Sequence, residues 1–256
     1  MKELFITATD TDAGKTFVSC AIIYALSKQQ NLTTKRSIKI AAFKPISAGC
    51  ELINGQLINE DAKLLSDFAN CGQSIQNINP IAFEEAIAPH IAAKKHNQKI
   101  TISEISQHYE SVKTEAKKSN ADFVLTEGAG GWRLPLGRVD SEESKYQFLS
   151  DFAITENLQV ILIVNMKLGC LNHALLTYET IKADGLTCIG WVANCASEEP
   201  MSNLTENILE LEQLLPVPKI AQFDFIADID EQNNKVSFEQ KIQRTENQID
   251  LAPLFS

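Results

Sequence analysis

Gly14, Lys15 and Thr16 are the residues whose types and spacing most clearly indicate chemistry, because together they suit a triphosphate. Gly14 lets the backbone approach phosphate oxygens closely, and Lys15 supplies a positive charge for the β- and γ-phosphates. The Thr16 hydroxyl is the usual first ligand of the accompanying magnesium ion. These three residues follow seven small or polar ones, residues 7–13. The pattern predicts a loop that binds phosphates.

The sequence around this motif predicts a strand, a tight loop and the start of a helix. Residues 4–6 are a short apolar run, and apolar residues recur three and four positions apart over residues 18–26. Such a loop directs backbone N–H groups and the positive end of a helix dipole at one point, which favours a polyanion. The standard phosphate loop has glycine where this chain has Thr9, and the nearest small residue is Ala8. An ordinary strand-to-helix loop is therefore the alternative interpretation.

Two further polar clusters follow predicted strands. Lys44 and Ser47 come after the second strand, and Glu127 stands at the end of the third, before the glycine-rich residues 128–131. Ligands of open α/β sheets gather outside the carboxyl ends of the strands, so these clusters should meet the first loop. With Asp61 as a second carboxylate, they would place two lysines, a hydroxyl and acidic ligands around a γ-phosphate. Phosphoryl transfer needs those parts.

Each of these residues also has a purely structural explanation. Lys44 could be a solvated lysine at a strand end, and Asp61 could be an acid favoured by the dipole at a helix start. The glycines after Glu127 could simply form a sharp turn. The case for chemistry depends on the three clusters meeting in space.

The elements that must position these residues alternate along the chain between strands and helices. The predicted strands are 4–6, 38–43, 122–126, 160–165, 188–193 and 219–223, and the predicted helices are 18–26, 60–70, 101–118, 147–156, 171–183 and 201–215. Residues 46–59 and 132–146 are predicted to be loops, and residues 90–99 have no clear pattern. This alternation predicts an α/β, P-loop NTPase-like fold, a mainly parallel sheet with helices on both faces. We expect a single domain over residues 1–256, with a polar, poorly periodic tail from about 224.

The composition favours a soluble protein that acts on small substrates. Of 256 residues, 44% are hydrophobic and 22% charged, and the formal net charge of −10 argues against general affinity for nucleic acid or anionic membrane. No segment has the roughly 20 apolar residues needed to span a bilayer, and no signal peptide is evident. The six cysteines form no C-x-x-C pair, so we interpret them as free thiols. A cytoplasmic location is expected.

Five motifs, in order along most of the chain, resemble those of the dethiobiotin synthetase family. They are residues 9–16 (TDTDAGKT), 44–49 (KPISAG), 127–132 (EGAGGW), 167–174 (KLGCLNHA) and 190–194 (GWVAN). Two departures from the family pattern are Ala8, where the family usually has glycine, and residues 218–224, which lack the usual Gly-x-Pro near the adenine.

The resemblance implies a homodimer that converts 7,8-diaminopelargonate, CO2 and Mg-ATP to dethiobiotin, ADP and phosphate. It implies catalytic roles for Thr11, Lys15 and Lys44, and magnesium ligation by Thr16, Asp61 and Glu127. The residues it assigns to the nucleotide are Asp12, Ala13, Gly14, Lys15, Thr16, Phe17, Asp61, Glu127, Gly128, Gly130 and Asn194. Those it assigns to the substrate are Thr11, Lys44, Ser47, Gly128, Ala129, Gly130, Gly131, Gly169, Cys170, Leu171 and Asn172, the last four reaching the substrate's carboxylate tail across the dimer interface.

Two other functions fit a P-loop protein of this kind. A partition-type or regulatory ATPase would work as a nucleotide-dependent dimer switch, but it would not explain residues 44–49. A cobyric or cobyrinic acid enzyme would need an additional glutaminase domain, for which the chain lacks length.

Overall fold

The computed structural model describes residues 1–139, 142–230 and 232–255. The strands are β1 (Lys2–Ala8), β2 (Ile40–Phe43), β3 (Ile46–Ser47), β4 (Glu51–Ile53), β5 (Gln56–Ile58), β6 (Ile81–Ala82), β7 (Phe123–Glu127), β8 (Pro135–Val139), β9 (Glu142–Phe148), β10 (Gln159–Asn165), β11 (Cys188–Asn194) and β12 (Lys219–Phe223). The helices are α1 (Lys15–Ser27), α2 (Glu60–Phe68), α3 (Ile75–Ile78), α4 (Pro89–Lys95), α5 (Ile102–Lys118), α6 (Leu149–Thr155), α7 (Cys170–Ala183), α8 (Leu204–Leu214), α9 (Phe238–Gln243) and α10 (Ala252–Phe255), with a 3-10 helix at Glu246–Gln248.

Six strands form a parallel sheet in the order β12-β11-β10-β1-β7-β2. The central strands are buried over most of their length, because a parallel sheet is covered on both faces. In β10, for example, the five residues 160–164 are all buried. This arrangement confirms the predicted α/β class.

Two hydrophobic cores cover the two faces of the sheet. Successive residues of β1 alternate between them: Phe5 packs into one core, and Leu4 and Ile6 pack into the other. Helices α4, α5, α6, α7 and α8 contribute to the core of Phe5, whereas α1, α2, α3, α9 and α10 contribute to the core of Leu4. The alternation follows from the two-residue period of a strand.

Two predicted loops contain hairpins. The loop predicted over residues 46–59 contains β3 and the antiparallel pair β4–β5, whose turn is Asn54-Gly55 with positive φ at both residues. That dipeptide is a strong signal for a two-residue hairpin, so the loop prediction was wrong. The loop predicted over 132–146 contains the pair β8–β9, and its residues 140 and 141 lie outside the described residues. The helix predicted from 147 therefore begins at Leu149.

The segment after Asp224 packs against the domain through a few apolar side chains. Ile242 of α9 and Leu254 of α10 are fully buried, and the amide of Asp250 donates to the carbonyl of Ile220 at 2.8 Å. Scattered anchors of this kind leave no periodic signal, which explains why the sequence pattern looked featureless. None of the described helices is long and apolar enough to cross a bilayer.

Candidate active site

The order of the strands brings the predicted site residues to one edge of the sheet. Strands β1, β7 and β2 are neighbours, so the loop after β1, the last residue of β7 and the residue after β2 lie side by side. These positions hold the phosphate-loop motif, Glu127 and Lys44, respectively. The three clusters therefore meet.

The loop between β1 and α1 is held from both sides. Gly14 has a φ of 80°, and the Asn194 side chain donates from Nδ2 to the carbonyl of Ala13 at 2.8 Å. A Cβ atom at residue 14 would lie 2.2 Å from that Nδ2, so the position requires glycine. Thr9, which stands where the usual pattern has glycine, instead accepts a hydrogen bond at Oγ1 from the amide of Asn165 at 3.2 Å. Thr9 thereby joins the start of the loop to β10.

Lys15 lies between the phosphate loop and the glycine-rich turn after β7. Its Nζ donates to the carbonyl of Gly130 at 2.7 Å and to that of Asp10 at 3.3 Å. Burial lowers the pKa of Lys15, partly offset by the negative charge of Glu127. The ammonium is thus held by neutral carbonyl groups, which leaves its charge uncompensated by a direct carboxylate contact.

Lys44 bridges two carboxylates in the interior of the site. Its Nζ lies 2.5 Å from Glu127 Oε1 and 2.9 Å from Asp61 Oδ2. Lys44 is 3% exposed and Glu127 is fully buried, whereas the Asp61 side chain is 44% exposed. Burial opposes the charge on Lys44, but attraction to Glu127 and Asp61 outweighs it and raises the pKa of Lys44. Burial likewise opposes the charge on Asp61, and the nearby Lys44 more than offsets this and lowers the pKa of Asp61.

Three oxygen-bearing side chains beside this lysine form a donor set that suits magnesium. Thr16 Oγ1 donates to Glu127 Oε1 at 2.9 Å, and Asp61 stands across Lys44 from the same carboxylate. Within the described residues, Glu127 Oε2 is buried without a hydrogen-bond partner. An orphaned carboxylate oxygen beside a hydroxyl and a second carboxylate fits a hard cation that takes its remaining ligands from water and phosphate. The described residues contain no cluster of three or more His, Cys, Asp or Glu, so a dedicated all-protein metal cage is not part of this arrangement.

A cleft of about 990 Å³ opens over these groups. The residues predicted for the site that line it are Thr11, Asp12, Gly14, Lys15, Thr16, Phe17, Lys44, Ser47, Asp61, Ala129, Gly130 and Asn194. Residues that line one side of the cleft without having been assigned a role in binding are Ile46, Asn59, residues 86–89 and Leu134. Their mostly apolar character suits a substrate with an aliphatic chain.

Asn79 is a site residue that sequence reasoning missed. It accepts a hydrogen bond from Ser47 Oγ at 2.6 Å and donates to the carbonyl of Lys44 at 2.7 Å. One buried amide therefore orients two of the predicted substrate-binding residues. Its position before Pro80 gave no signal, because the contact joins residues more than thirty positions apart.

Gly128 and Gly131 lie in the turn after β7, and Gly128 packs closely against β1. A Cβ atom at residue 128 would lie 3.0 Å from the Phe5 ring and 3.2 Å from the carbonyl of Ile6, and one at residue 131 would lie 3.5 Å from the carbonyl of Ala8. Neither glycine lines the cleft. The contacts at residue 128 favour a residue without a side chain, whereas at residue 131 the distance is that of ordinary van der Waals contact.

Gly169, Cys170, Leu171 and Asn172 lie at the start of α7 and do not line the cleft of their own chain. Gly169 has a φ of 94°, and the amide of Cys170 donates to the carbonyl of Lys167 at 2.9 Å. Lys167 Nζ in turn lies 2.5 Å from Asp10 Oδ2, which connects this segment to the phosphate loop. Their assignment to a partner's substrate stays a prediction.

The other end of the cleft is formed by residues that the sequence did not identify. Beyond Asn194 it is lined by Cys195, Ala196, Asp224, Phe225, Ile226, Phe238 and Lys241. Phe225 lies in a stretch of sequence without periodicity, so no pattern pointed to it. Phe238 and Lys241 belong to α9, in the predicted tail.

Several known proteins are similar to this chain. A protein-family model described as an AAA domain matches residues 2–233. The ATP-dependent dethiobiotin synthetase BioD of Alteromonas mediterranea is 42% identical over 234 residues, which cover 90% of this chain and 95% of that protein. The protein of the same name from Pseudoalteromonas translucida is 43% identical over 221 residues, covering 86% and 89%. Among solved structures, a ParA family ATPase from Chlorobium tepidum TLS has a TM-score of 0.46 and 14% identity, with coverage of 99% of this chain and 94% of that one.

These relatives are more than 40% identical to the chain over nearly their whole length, and the family model matches most of the chain. Both findings establish family membership. The chain belongs to the family of ATP-dependent dethiobiotin synthetases.

Proposed function

We propose that the chain closes the ureido ring of dethiobiotin from 7,8-diaminopelargonate and CO2, with conversion of ATP to ADP and phosphate. The observation that carries the proposal is the buried bridge from Lys44 to Glu127 and Asp61, next to Thr16 and Lys15. The partition-type switch is not favoured, because the relatives are named synthetases and a switch gives no role to Lys44 and Ser47.

The phosphate loop binds the triphosphate in this proposal. The backbone of Asp12, Ala13 and Gly14 and the first turn of α1 present N–H groups to the β- and γ-phosphates. Lys15 exchanges its bonds to carbonyl oxygens for bonds to phosphate, which is favourable because its charge gains an anionic partner. Phe17 and Asn194 face the nucleoside.

Thr16, Asp61 and Glu127 would hold the magnesium ion. When bound, the ion would neutralise part of the charge on the phosphate oxygens. Lys44 bonds to two of the same groups, the carboxylates of Asp61 and Glu127. When they bind the ion, Lys44 would give up at least one of these bonds and direct its ammonium group toward the cleft. Released in this way, the ammonium can reach substrate and γ-phosphate together.

The proposed reaction has three chemical steps. The nitrogen of one substrate amine bonds to the carbon of CO2 and loses a proton to solvent, which gives a carbamate. A carbamate oxygen attacks the γ-phosphorus and displaces ADP, which gives a carbamic–phosphoric anhydride. The second amine attacks the carbonyl carbon and loses a proton to solvent, the bond from that carbon to the phosphate oxygen breaks, and phosphate leaves as the ring closes.

Charge repulsion is the main barrier that the side chains must lower. Two unit negative charges about 4 Å apart at the edge of a protein repel by roughly 4 kcal/mol, which corresponds to about a thousandfold in rate. Lys15 and Lys44 stand where carbamate and γ-phosphate would meet, and their positive charges oppose this repulsion. Thr11, Ser47 and the backbone of Ala129 and Gly130, which line the cleft, orient the carbamate end.

Phosphate release measured with and without the diamine and bicarbonate tests the reaction. We expect release only when both are present, in equal amount to dethiobiotin detected by mass spectrometry. Release at the same rate without the diamine would refute the synthetase proposal and support a nucleotide switch.

The proposal includes a homodimer in which Gly169, Cys170, Leu171 and Asn172 contact the carboxylate tail of the partner's substrate. In support, this part of the chain exposes two large apolar side chains, Leu168 at 93% and Leu176 at 55%. A variant blocked by Asn172→Trp, mixed with a Lys15→Ala variant, should regain activity, because some heterodimers carry one complete site. Absence of recovery between folded, inactive variants that exchange subunits would mean that each chain builds its site alone.

A cytoplasmic location is part of the same proposal. All six cysteines are free, and five of them are buried. Free thiols are typical of a reducing compartment.

A further inference from the structure

The Ser47 hydroxyl at the wall of the cleft is connected to two buried side chains behind it. Ser47 lines the cleft, and its Oγ lies 2.6 Å from Asn79 Oδ1 and 3.1 Å from Cys50 Sγ. All three residues are at most 6% exposed. Asn79 and Cys50 do not line the cleft themselves. Any effect that they have on a substrate therefore passes through a neighbour such as Ser47.

The direction of the hydrogen bond between Ser47 and Asn79 follows from the other end of the Asn79 amide. Asn79 Nδ2 lies 2.7 Å from the backbone carbonyl of Lys44, which can only accept. If the amide were reversed, two acceptor oxygens would face each other at that distance. The Asn79 oxygen is therefore directed at Ser47, and because this oxygen also only accepts, the Ser47 hydroxyl donates its proton to Asn79.

This direction decides what Ser47 can offer to the cleft. A hydroxyl has one proton to donate and two positions at which its oxygen accepts. Since the proton is given to Asn79, the Cys50 thiol donates to Ser47 Oγ and occupies one of the two accepting positions. The second accepting position remains, and Ser47 reaches the cleft. Ser47 thus presents an acceptor to a bound substrate.

An acceptor at this place suits an amine that has to react as a nucleophile. In the proposed function, on which this inference rests, the second amine of the substrate attacks carbon to close the ring. Such an amine can donate an N–H to Ser47 and keep its lone pair free for the attack. A hydroxyl that donated to the amine would instead occupy the lone pair and lower its reactivity.

We propose that Asn79 and Cys50 are positioning residues, which fix the Ser47 hydroxyl as a hydrogen-bond acceptor for the second amine. Asn79 also holds the backbone carbonyl of Lys44, so one side chain sets the acceptor relative to the strand end that carries Lys44. The site thereby selects a substrate group that has a proton to donate over a group of similar size that has none.

The kinetics of a double-mutant cycle test the role of Asn79. Asn79→Ala should lower kcat for dethiobiotin formation about tenfold, which corresponds to one hydrogen bond of ordinary strength, with the KM for ATP unchanged within about twofold. The variant with both Asn79→Ala and Ser47→Ala should lose no more than Ser47→Ala alone, because Asn79 acts through Ser47. Asn77→Ala is the matched control and should keep the wild-type kcat, since Asn77 lies on α3 and bonds to Glu115.

Two Cys50 variants test the thiol as a donor. Cys50→Ser keeps an O–H that can donate to Ser47, so its kcat should stay within about twofold of wild type. Cys50→Ala removes the donor with little further change in size, and its kcat should fall about threefold. Equal kcat values for the two variants would exclude a role for the thiol.

Binding of substrate analogues tests the acceptor character of Ser47 without an Asn79 variant. Calorimetry would compare 7,8-diaminopelargonate with two analogues, each with one amine replaced by a methyl ether, which has no proton to donate. Wild type should bind one ether at least about tenfold more weakly than the diamine, and Ser47→Ala should reduce this ratio severalfold.

Three results would overturn the proposal. They are an ether ratio that Ser47→Ala leaves unchanged, a wild-type kcat in folded Asn79→Ala, and losses from Asn79→Ala and Ser47→Ala that multiply in the double variant. Each of these results would leave the synthetase function intact, because formation of dethiobiotin by the wild type tests that function separately.

Discussion

Replacing Lys44 by Gln removes the charge between two carboxylates and keeps much of the side chain's length. Lys44 is 3% exposed and Glu127 fully buried, so the substitution leaves a buried carboxylate without its cation. We expect the protein to become less stable as well as inactive. A solvated strand-end lysine, the alternative interpretation of Lys44, would produce no such loss.

The magnitude follows from the burial of the two ion pairs. Removing one partner of a buried pair costs about 3–5 kcal/mol, because the remaining charge is uncompensated. The contact with Glu127 accounts for most of this, and that with Asp61 for a small part, because the Asp61 side chain is 44% exposed and screened by solvent. For a chain of this size, 1 kcal/mol corresponds to roughly 2–4 °C, so the melting temperature should fall by about 10 °C.

The dependence on pH gives a second check with a definite sign. The pKa of Asp61 lies below its ordinary value of 3.8, so its pair with Lys44 stabilises the fold above that pH and loses this effect as pH falls through the lowered pKa. The pKa of Lys44 lies above its ordinary 10.5, so its contribution is complete below that pH and is lost as pH rises through the raised pKa. The difference in stability between wild type and variant should therefore be largest at neutral pH and shrink in acid, as Asp61 takes up a proton.

Urea unfolding at several pH values measures this difference directly. Lys63→Gln is the matched control, because Lys63 is exposed on α2 near Asp61 and should change stability by less than about 0.5 kcal/mol. Magnesium should restore part of the lost stability in Lys44→Gln, since a cation could replace the missing charge. A variant as stable as the control, with no response to pH or magnesium, would refute the account of the buried bridge.

Three further substitutions test the phosphate loop. Lys15→Ala should fold normally, with a melting temperature within a few degrees of wild type. Its rate of phosphate release should fall by about 10²–10³-fold or more, because the Lys15 charge is needed as the phosphoryl group transfers. A folded variant with normal turnover would exclude the phosphate-loop assignment. Thr16→Val should raise the magnesium concentration required for half-maximal activity, and an unchanged magnesium titration would show that the hydroxyl is not a ligand. Gly14→Ala should lower the free energy of unfolding in urea by at least about 1–2 kcal/mol, because of the left-handed backbone and the clash with Asn194 Nδ2. Adding Asn194→Ala should remove the clash but leave the cost of the left-handed backbone. Equal stability of both variants and wild type would contradict the geometry of the loop.

The sheet and the meeting of its three polar clusters could be predicted because their signals are local. The apolar runs of β7 and β10 and the position of Lys44 directly after β2 are visible in any short window of sequence. In a parallel sheet, residues that end neighbouring strands must share an edge. Family motifs added the roles that periodicity cannot supply.

The parts that were missed depend on contacts between distant residues. Asn79 orients Ser47 and the backbone of Lys44, and nothing in its own neighbourhood reveals this. Helix α9 packs on the domain through only two apolar side chains, the partly buried Phe238 and the buried Ile242. Two apolar residues are too few to show a helical period in the sequence. The hairpin at Asn54-Gly55 is different, because its turn signal was present and was outweighed by the surrounding polar residues.

Transfer of an oxygen isotope tests the central claim most directly, because it reports which atom attacks the γ-phosphorus. The reaction would be started with CO2 labelled with ¹⁸O, and the released phosphate would be analysed by mass spectrometry before the label exchanges with water. Attack by a carbamate oxygen predicts one ¹⁸O in each phosphate and one in the ureido carbonyl of dethiobiotin. Phosphate without label, its new oxygen drawn from water, would contradict the proposed reaction and show that the chain hydrolyses ATP.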